Sequence, residues 1–189
     1  MKRKKSLLSK FSIFEIIVIA LMAAVGLATK PIIVPLVHVI TGPLFIPGGA
    51  VAGGFYMLWI VLGAGLIPKR GTVTLIALTQ AIIVAVTGTF GTHGIISIIT
   101  YTLPGLMVDV IFVLIRRRIT SSIDFFLAGV IANLSGTYLS NLVFFKLPLI
   151  PLVLSLATGT LSGGLGGIIA YVLAKRIKNM GIEGIEGIE

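Results

Sequence analysis

The side chains that could do chemistry are amides, phenols and an imidazole placed within long apolar stretches. They fall towards one end of the predicted helices: Tyr56, Gln80, His93, Tyr101, Asn133, Tyr138 and Asn141. Buried amides and hydroxyls need hydrogen-bond partners, and phenol rings offer stacking surfaces. Together they predict a binding site for a flat heterocyclic small molecule. For any single residue, a hydrogen bond to a neighbouring helix is an equal alternative.

Asp109 is the one acidic residue well inside a predicted apolar helix. An ionisable group in that position is costly, which makes it a candidate functional site. It also lies about two helical turns from Arg116. A structural bond to Arg116, to Arg117 or to a neighbouring helix is therefore the alternative interpretation.

Motifs of metal sites and of enzymes are missing from the sequence. His93 has no second histidine or carboxylate at ligand spacing, and the chain has no cysteine. The zinc-protease, serine-hydrolase and phosphate-loop motifs are also absent. We therefore expect no catalytic residue, no metal and no cofactor bound by this chain. Any ATP would be used by partner subunits.

The composition is that of an integral membrane protein. Of the 189 residues, 57% are apolar and only 11% are charged, and the mean hydropathy is +1.14. A net charge of +9 would suggest nucleic acid in a soluble protein. Here the cations are confined to short loops and chain ends, where they set the topology and contact anionic lipid. We expect contact with membrane lipid and none with nucleic acid.

Six apolar stretches predict an all-α bundle of six transmembrane helices. They cover about residues 12–29, 47–67, 72–88, 93–115, 125–145 and 149–174. With the N-terminus inside, every lysine and arginine except Lys30 and Lys146 falls on the cytoplasmic side. The positive-inside rule therefore places both termini in the cytoplasm.

The segments around and within this membrane domain, 12–176, have their own signatures. Residues 31–46 contain three prolines and Gly42, which predict an extracellular loop or re-entrant segment lying over the bundle as a lid. Residues 1–11 form a basic cytoplasmic N-terminus. Residues 177–189 contain a Gly-Ile-Glu repeat, which predicts a disordered tail.

Two helices carry stripes of small residues, which allow close helix approach in a membrane. The first is Ala20, Ala24 and Ala28, for which docking to a partner and packing inside the bundle are equally good explanations from spacing alone. The second is Gly159, Gly163 and Gly167, for which internal packing is favoured.

The layout over about residues 12–176 resembles the substrate-binding S components of energy-coupling factor (ECF) transporters. The similarity is to the YkoE-type branch and is carried by three segments: Gly53-Gly54-Phe55-Tyr56 with Ile67-Pro68-Lys69-Arg70-Gly71, Gly88-Thr89-Phe90-Gly91, and Leu103-Pro104-Gly105-Leu106 ahead of Asp109. That branch is linked with thiamine and its hydroxymethylpyrimidine precursor. The resemblance implies a bacterial cytoplasmic membrane protein that captures a vitamin in its outer half.

The same resemblance implies a mechanism and partners. An S component docks through its first helix onto a membrane T component driven by two ATPase subunits, and then topples to release the vitamin inside. Ala20, Ala24 and Ala28 would be the docking face. The alternatives are a small secondary transporter or channel working alone, in which Asp109 binds a proton or cation, and a membrane scaffold without substrate.

Overall fold

The computed structural model describes residues 10–88 and 96–180, which fold into six α-helices with no strand among them. The helices are α1 (Ile13–Thr41), α2 (Gly48–Leu66), α3 (Thr72–Thr87), α4 (Ile96–Leu114), α5 (Ser122–Ser140) and α6 (Leu149–Asn179). A 3₁₀ turn, Gly42–Leu44, follows α1, and a π-helical turn, Asn141–Phe145, follows α5. In this part of the chain five helical segments are long and apolar enough to cross a membrane, whereas α3 has 16 residues.

Two helices begin with a capping box, in which a serine and an acidic residue satisfy each other's backbone N–H groups. At the start of α1, Ser12 Oγ accepts from the N–H of Glu15, and Glu15 Oε2 accepts from the N–H of Ser12 at 2.7 Å. Ser121 and Asp124 make the same arrangement at the start of α5. Each carboxylate also pairs with a cation from a loop, Glu15 with Lys69 at 2.8 Å and Asp124 with Arg117 at 2.9 Å.

Nine of the eleven lysines and arginines in the described residues gather at one end of the bundle, which we call the basic end. Lys69, between α2 and α3, donates to the carbonyl of Lys10 at 3.0 Å and to Glu15. The loop between α4 and α5 borders the same small cleft as Lys69. Gly65, near the end of α2, packs against Ala174 near the end of α6. The basic end therefore comprises Lys10, Lys69, Arg70, Arg116, Arg117, Arg118, Lys175, Arg176 and Lys178.

Glycines bring α2, α5 and α6 into backbone contact. A methyl group added at Gly54 would collide with the carbonyl of Ser162, and one added at Gly166 would collide with the carbonyl of Gly54. The N–H of Gly54 donates to Ser162 Oγ at 2.9 Å, and Ser162 Oγ donates to the carbonyl of Val51. The glycines of the predicted packing stripe are all buried: Gly159, Gly163 and Gly167. The prediction of internal packing for this stripe is confirmed.

The prediction that residues 31–46 form a separate loop is wrong for residues 31–41, which continue α1. Pro31 and Pro35 lie inside the helix, where each removes one backbone hydrogen bond without ending it. This part of α1 packs closely against α2, since a Cβ at Gly48 would lie only 2.7 Å from the carbonyl oxygen of Val34 and 2.8 Å from the Cβ of His38. The last three turns of α1 therefore lie directly on the start of α2.

The chain ends agree only in part with the predicted domain limits. The helix α6 continues to Asn179, so the first residues of the predicted tail, 177–189, are helical. Residues 181–189 lie outside the described residues, as do residues 1–9 of the predicted basic N-terminus, 1–11.

At 29 residues α1 is about 43 Å long, which exceeds the roughly 30 Å of a bilayer's hydrocarbon core. Its second half can therefore extend above the other helices.

Candidate functional site

A cavity of about 410 Å³ opens in the half of the bundle away from the basic end. All six helices contribute to it: α1 and α5 mainly through their second halves, α2 from its first turn as far as Ile60, and α6 through Ser155 in its second turn. Its polar or charged lining residues are Lys30, His38, Tyr56, Gln80, Thr100, Tyr101, Thr137, Ser140, Asn141 and Ser155. The rest of the lining is apolar or glycine, including Met57, Ile60 and Phe144. A cavity of this size and composition suits a small organic molecule.

Lys30 of α1 and two tyrosines form the most polar part of the wall. The ammonium of Lys30 donates to the hydroxyl oxygen of Tyr101 at 2.8 Å. It also lies 4.1 Å from the ring centre of Tyr101 and 5.1 Å from that of Tyr56, within the range of cation–π contacts. The hydroxyl of Tyr56 is held in turn, since it donates to the carbonyl of Gly49 at 2.8 Å.

Amides support the wall from two sides. Gln80 of α3 donates to the carbonyl of Ala23 at 3.4 Å and is almost fully buried. It lies against Gly26, where a methyl group would collide with its side-chain nitrogen. The oxygen of Asn141 accepts from the N–H of Leu147 at 2.8 Å, which holds the turn between α5 and α6 in place. Both amides are thus positioned by backbone contacts before any ligand binds.

The second half of α1 forms another part of the wall through Val34 and His38. The Nδ1 atom of His38 accepts from the N–H of Gly48 at 3.3 Å. A neutral imidazole in this arrangement carries its proton on Nε2. This bond and the close backbone approach described above attach the end of α1 to the first turn of α2 at the edge of the cavity.

The structure brings four of the sequence-predicted ligand contacts together around the cavity: Tyr56, Gln80, Tyr101 and Asn141. Asn133 is buried elsewhere, and its amide nitrogen donates to the carbonyls of Ala50 at 3.0 Å and Gly159 at 2.7 Å. Tyr138 is 53% exposed on the outer surface of α5 and does not line the cavity. His93 lies outside the described residues.

Lys30 is the main contact that the sequence interpretation missed. The sequence did contain a signal for Lys30, because Lys30 and Lys146 are the two cations that violate the positive-inside pattern. Lys30 lines the cavity, whereas Lys146 is exposed and does not. A cation away from the cytoplasmic clusters has to be explained by a local partner, and here the local partners are Tyr56 and Tyr101.

Asp109 lies at the basic end, away from the cavity, and bonds to the first turn of α3. Its carboxylate accepts from the N–H of Gly71 at 3.2 Å and from the N–H and hydroxyl of Thr74 at 2.8 and 2.6 Å. It makes no ion pair within the described residues, so the predicted bond to Arg116 or Arg117 is not formed. These contacts are those of a helix cap supplied by a neighbouring helix.

The small-residue stripe of α1 faces outward. Ala20, Ala24 and Ala28 are all exposed, whereas Ala23 and Leu27 between them are buried against the bundle. Packing inside this chain therefore does not explain the stripe. It leaves a smooth face on α1 that another helix can approach closely.

No metal site is evident in the described residues. No group of three or more histidine, cysteine, aspartate or glutamate side chains there could hold an ion. All three described acids make hydrogen bonds near the basic end. The cavity wall instead offers amides, hydroxyls, one ammonium group, the single imidazole of His38 and aromatic rings, which suit an organic ligand.

Comparison with known proteins agrees with this geometry. A crystal structure described as an S-component of an ECF transporter superposes with a TM-score of 0.75 at 19% sequence identity, over 91% of this chain and 88% of that one. At that identity the likeness shows a shared fold. None of the curated proteins matches the chain. A family model described as "ABC-type cobalt transport system, permease component" matches residues 14–135, most of the membrane bundle. The chain therefore belongs to this family of ABC-type transport permease components.

Proposed function

We propose that this protein is the membrane substrate-binding S subunit of an ECF-type importer. It captures a vitamin or vitamin precursor in the cavity and delivers it to the cytoplasm when docked on an ATP-driven module. The observation that carries the proposal is the 410 Å³ cavity, built by all six helices in an S-component fold. The chain itself binds no nucleotide and is not an enzyme.

The distribution of charge supports an orientation for this subunit. Nine described cations lie at the basic end, and the positive-inside rule therefore supports a cytoplasmic location for that end. The cavity then lies in the outer half of the membrane, where a substrate arrives. The second half of α1 borders it, and we propose that residues 31–46 act as its lid through this helical extension.

The exposed stripe of Ala20, Ala24 and Ala28 supports docking through α1. In a membrane, small residues promote helix association because they allow close packing. We propose that this stripe contacts the T component and that two ATPase subunits drive the cycle. The chain would lie in the bacterial cytoplasmic membrane with both termini inside.

The two substrates suggested by resemblance and by the family description differ in how well they fit. Thiamine carries a permanent positive charge, and a cobalt ion is also cationic, so both would be repelled by Lys30. Cobalt would also lack a ligand cluster in the described residues. Hydroxymethylpyrimidine is neutral and flat, which matches the tyrosines and amides of the wall. Of the three, it is the one that the charge of Lys30 does not repel.

Blocking the cavity tests the proposed function. Gly49 lines it, and a Cβ added there would meet only the hydroxyl of Tyr56, at an ordinary distance of 3.7 Å. Gly49→Phe should therefore project its ring into the cavity without disturbing the backbone. We expect small molecules extracted from the purified parent protein, identified by mass spectrometry, to be missing from Gly49→Phe.

Gly49→Ala is the matched control, because it changes the same backbone position but adds a single methyl group. It should retain the co-purified molecule. The proposal fails if the parent binds no small molecule, or if Gly49→Phe and the parent bind the same molecule equally well. Circular dichroism should be alike in the three proteins, and so should the melting temperature once the co-purified molecule has been removed.

A further inference from the structure

Lys30 is the only lysine or arginine lining the cavity in the part of the chain that the structure describes. No carboxylate from that part of the chain lies near it. Glu15 and Asp124 pair with cations of the basic end, and Asp109 caps α3 there. The cavity therefore contains a positive charge that the described protein does not neutralise.

The contacts that Lys30 makes with other described residues hold its ammonium group in place but occupy only part of its hydrogen-bonding capacity. One of its three N–H groups donates to Tyr101, and the two phenol rings provide cation–π contacts. Because the hydroxyl oxygen of Tyr101 accepts this bond, the hydroxyl's own proton is left to donate elsewhere. A charged group in a largely apolar cavity is costly unless a counter-charge meets it.

We infer that the ligand carries an anionic group, a carboxylate or a phosphate, which binds between the ammonium of Lys30 and the hydroxyl of Tyr101. This inference rests on the proposed function and narrows its substrate class to anionic molecules, which excludes cobalt, thiamine and unmodified hydroxymethylpyrimidine. Gly48 and Gly49, the first residues of α2, line the same cavity, and the positive end of that helix adds to the attraction. The apolar and aromatic wall accommodates the rest of the molecule.

The experiment separates candidate ligands by charge. An aqueous small-molecule extract of bacterial cells is divided into an anion-exchange-retained, a cation-exchange-retained and a neutral fraction. Each fraction is added to the full-length protein in nanodiscs, and the melting temperature is measured. A ligand of the folded state raises that temperature in proportion to its occupancy. We expect only the anionic fraction to do so, and prior phosphatase treatment of that fraction distinguishes a phosphate from a carboxylate.

Variants then assign the anion to Lys30. With the purified anionic compound, Lys30→Met should weaken binding by about tenfold or more, since a charged hydrogen-bonding group is lost. Tyr101→Phe keeps the ring but removes the hydroxyl, and should weaken binding less. Lys146→Met is the matched control, because it removes an exposed cation that does not line the cavity, and it should bind as the parent does.

The outcomes separate this inference from the proposed function. A neutral or cationic fraction that stabilises the protein would overturn the anionic ligand but leave the binding function standing. Failure of all three fractions would overturn both. Unchanged affinity in Lys30→Met, with a lower melting temperature of the ligand-free protein, would show that Lys30 only braces the two tyrosines.

Discussion

The exposed alanine stripe makes the sharpest structural prediction, because, of two adjacent alanines in α1, one is buried and the other is exposed. Ala24 is exposed, while Ala23 is fully buried and its carbonyl accepts from Gln80. Leucine at Ala24 adds three carbon atoms on the outer face without touching the bundle. We therefore expect Ala24→Leu to fold normally and to bind ligand with the parent's affinity.

The expected defect of Ala24→Leu is in docking. If the leucine separates about ten carbon–carbon contacts along the helix seam, at roughly 0.1–0.2 kcal/mol each, docking loses about 1–2 kcal/mol. That loss corresponds to about a five- to thirtyfold weaker association with the T component. Co-purification with the T component and ATPases, titrated in detergent or nanodiscs, measures it directly.

Two controls make the result interpretable. Ala157→Leu adds the same atoms to an exposed alanine of α6 and should leave docking intact. Ala23→Leu inserts them into the core and should lower both stability and ligand affinity. The docking interpretation is refuted if Ala24→Leu associates normally with the T component, or if it loses ligand affinity as Ala23→Leu does.

Three further predictions follow from the described contacts. Asn133→Ala should lower the free energy of unfolding by about 1–3 kcal/mol in chemical denaturation, because two buried hydrogen bonds between α5 and its neighbours are lost. Asp109→Asn should lower the free energy of unfolding by about 0.5–2 kcal/mol, because it weakens the cap of α3, and it should leave ligand affinity unchanged. If the protein were instead a stand-alone carrier with Asp109 as its ion site, the same substitution would abolish transport. Because the chain has no cysteine, Leu44→Cys and Arg118→Cys each provide a single thiol for labelling. An impermeant thiol reagent added outside the cell should label Leu44→Cys and leave Arg118→Cys unlabelled. The reverse pattern would show that the proposed topology is inverted.

Helix positions were predictable because long apolar runs alternate with short basic loops, and both signals come from the cost of burying charge in a membrane. The all-helical fold was therefore anticipated, with most limits shifted by a few residues. The extension of α1 was not anticipated, because in the sequence Pro31 and Pro35 indicate only that local backbone hydrogen bonds are lost. The close contact between α1 and Gly48 is made only in the folded structure and leaves no local signal in the sequence.

The candidate site was predicted only in part, for a similar reason. Polar residues in an apolar helix must find partners, but the sequence does not say whether the partner is a ligand or a backbone. Tyr101 faces the cavity, whereas Asn133 bonds to two carbonyls and Tyr138 faces outward. Lys30 was recognised as an exception to the charge rule, yet its role emerges only from its position between two tyrosines.

Uptake into vesicles tests the central claim most directly. Proteoliposomes are prepared with this chain alone, or with this chain plus the T component and both ATPases. The compound extracted from the purified protein, in radiolabelled form, is added outside. The proposed S-subunit function predicts accumulation only in vesicles that contain the complete complex and internal ATP. Accumulation by the chain alone, driven by an ion gradient and independent of ATP, would contradict it.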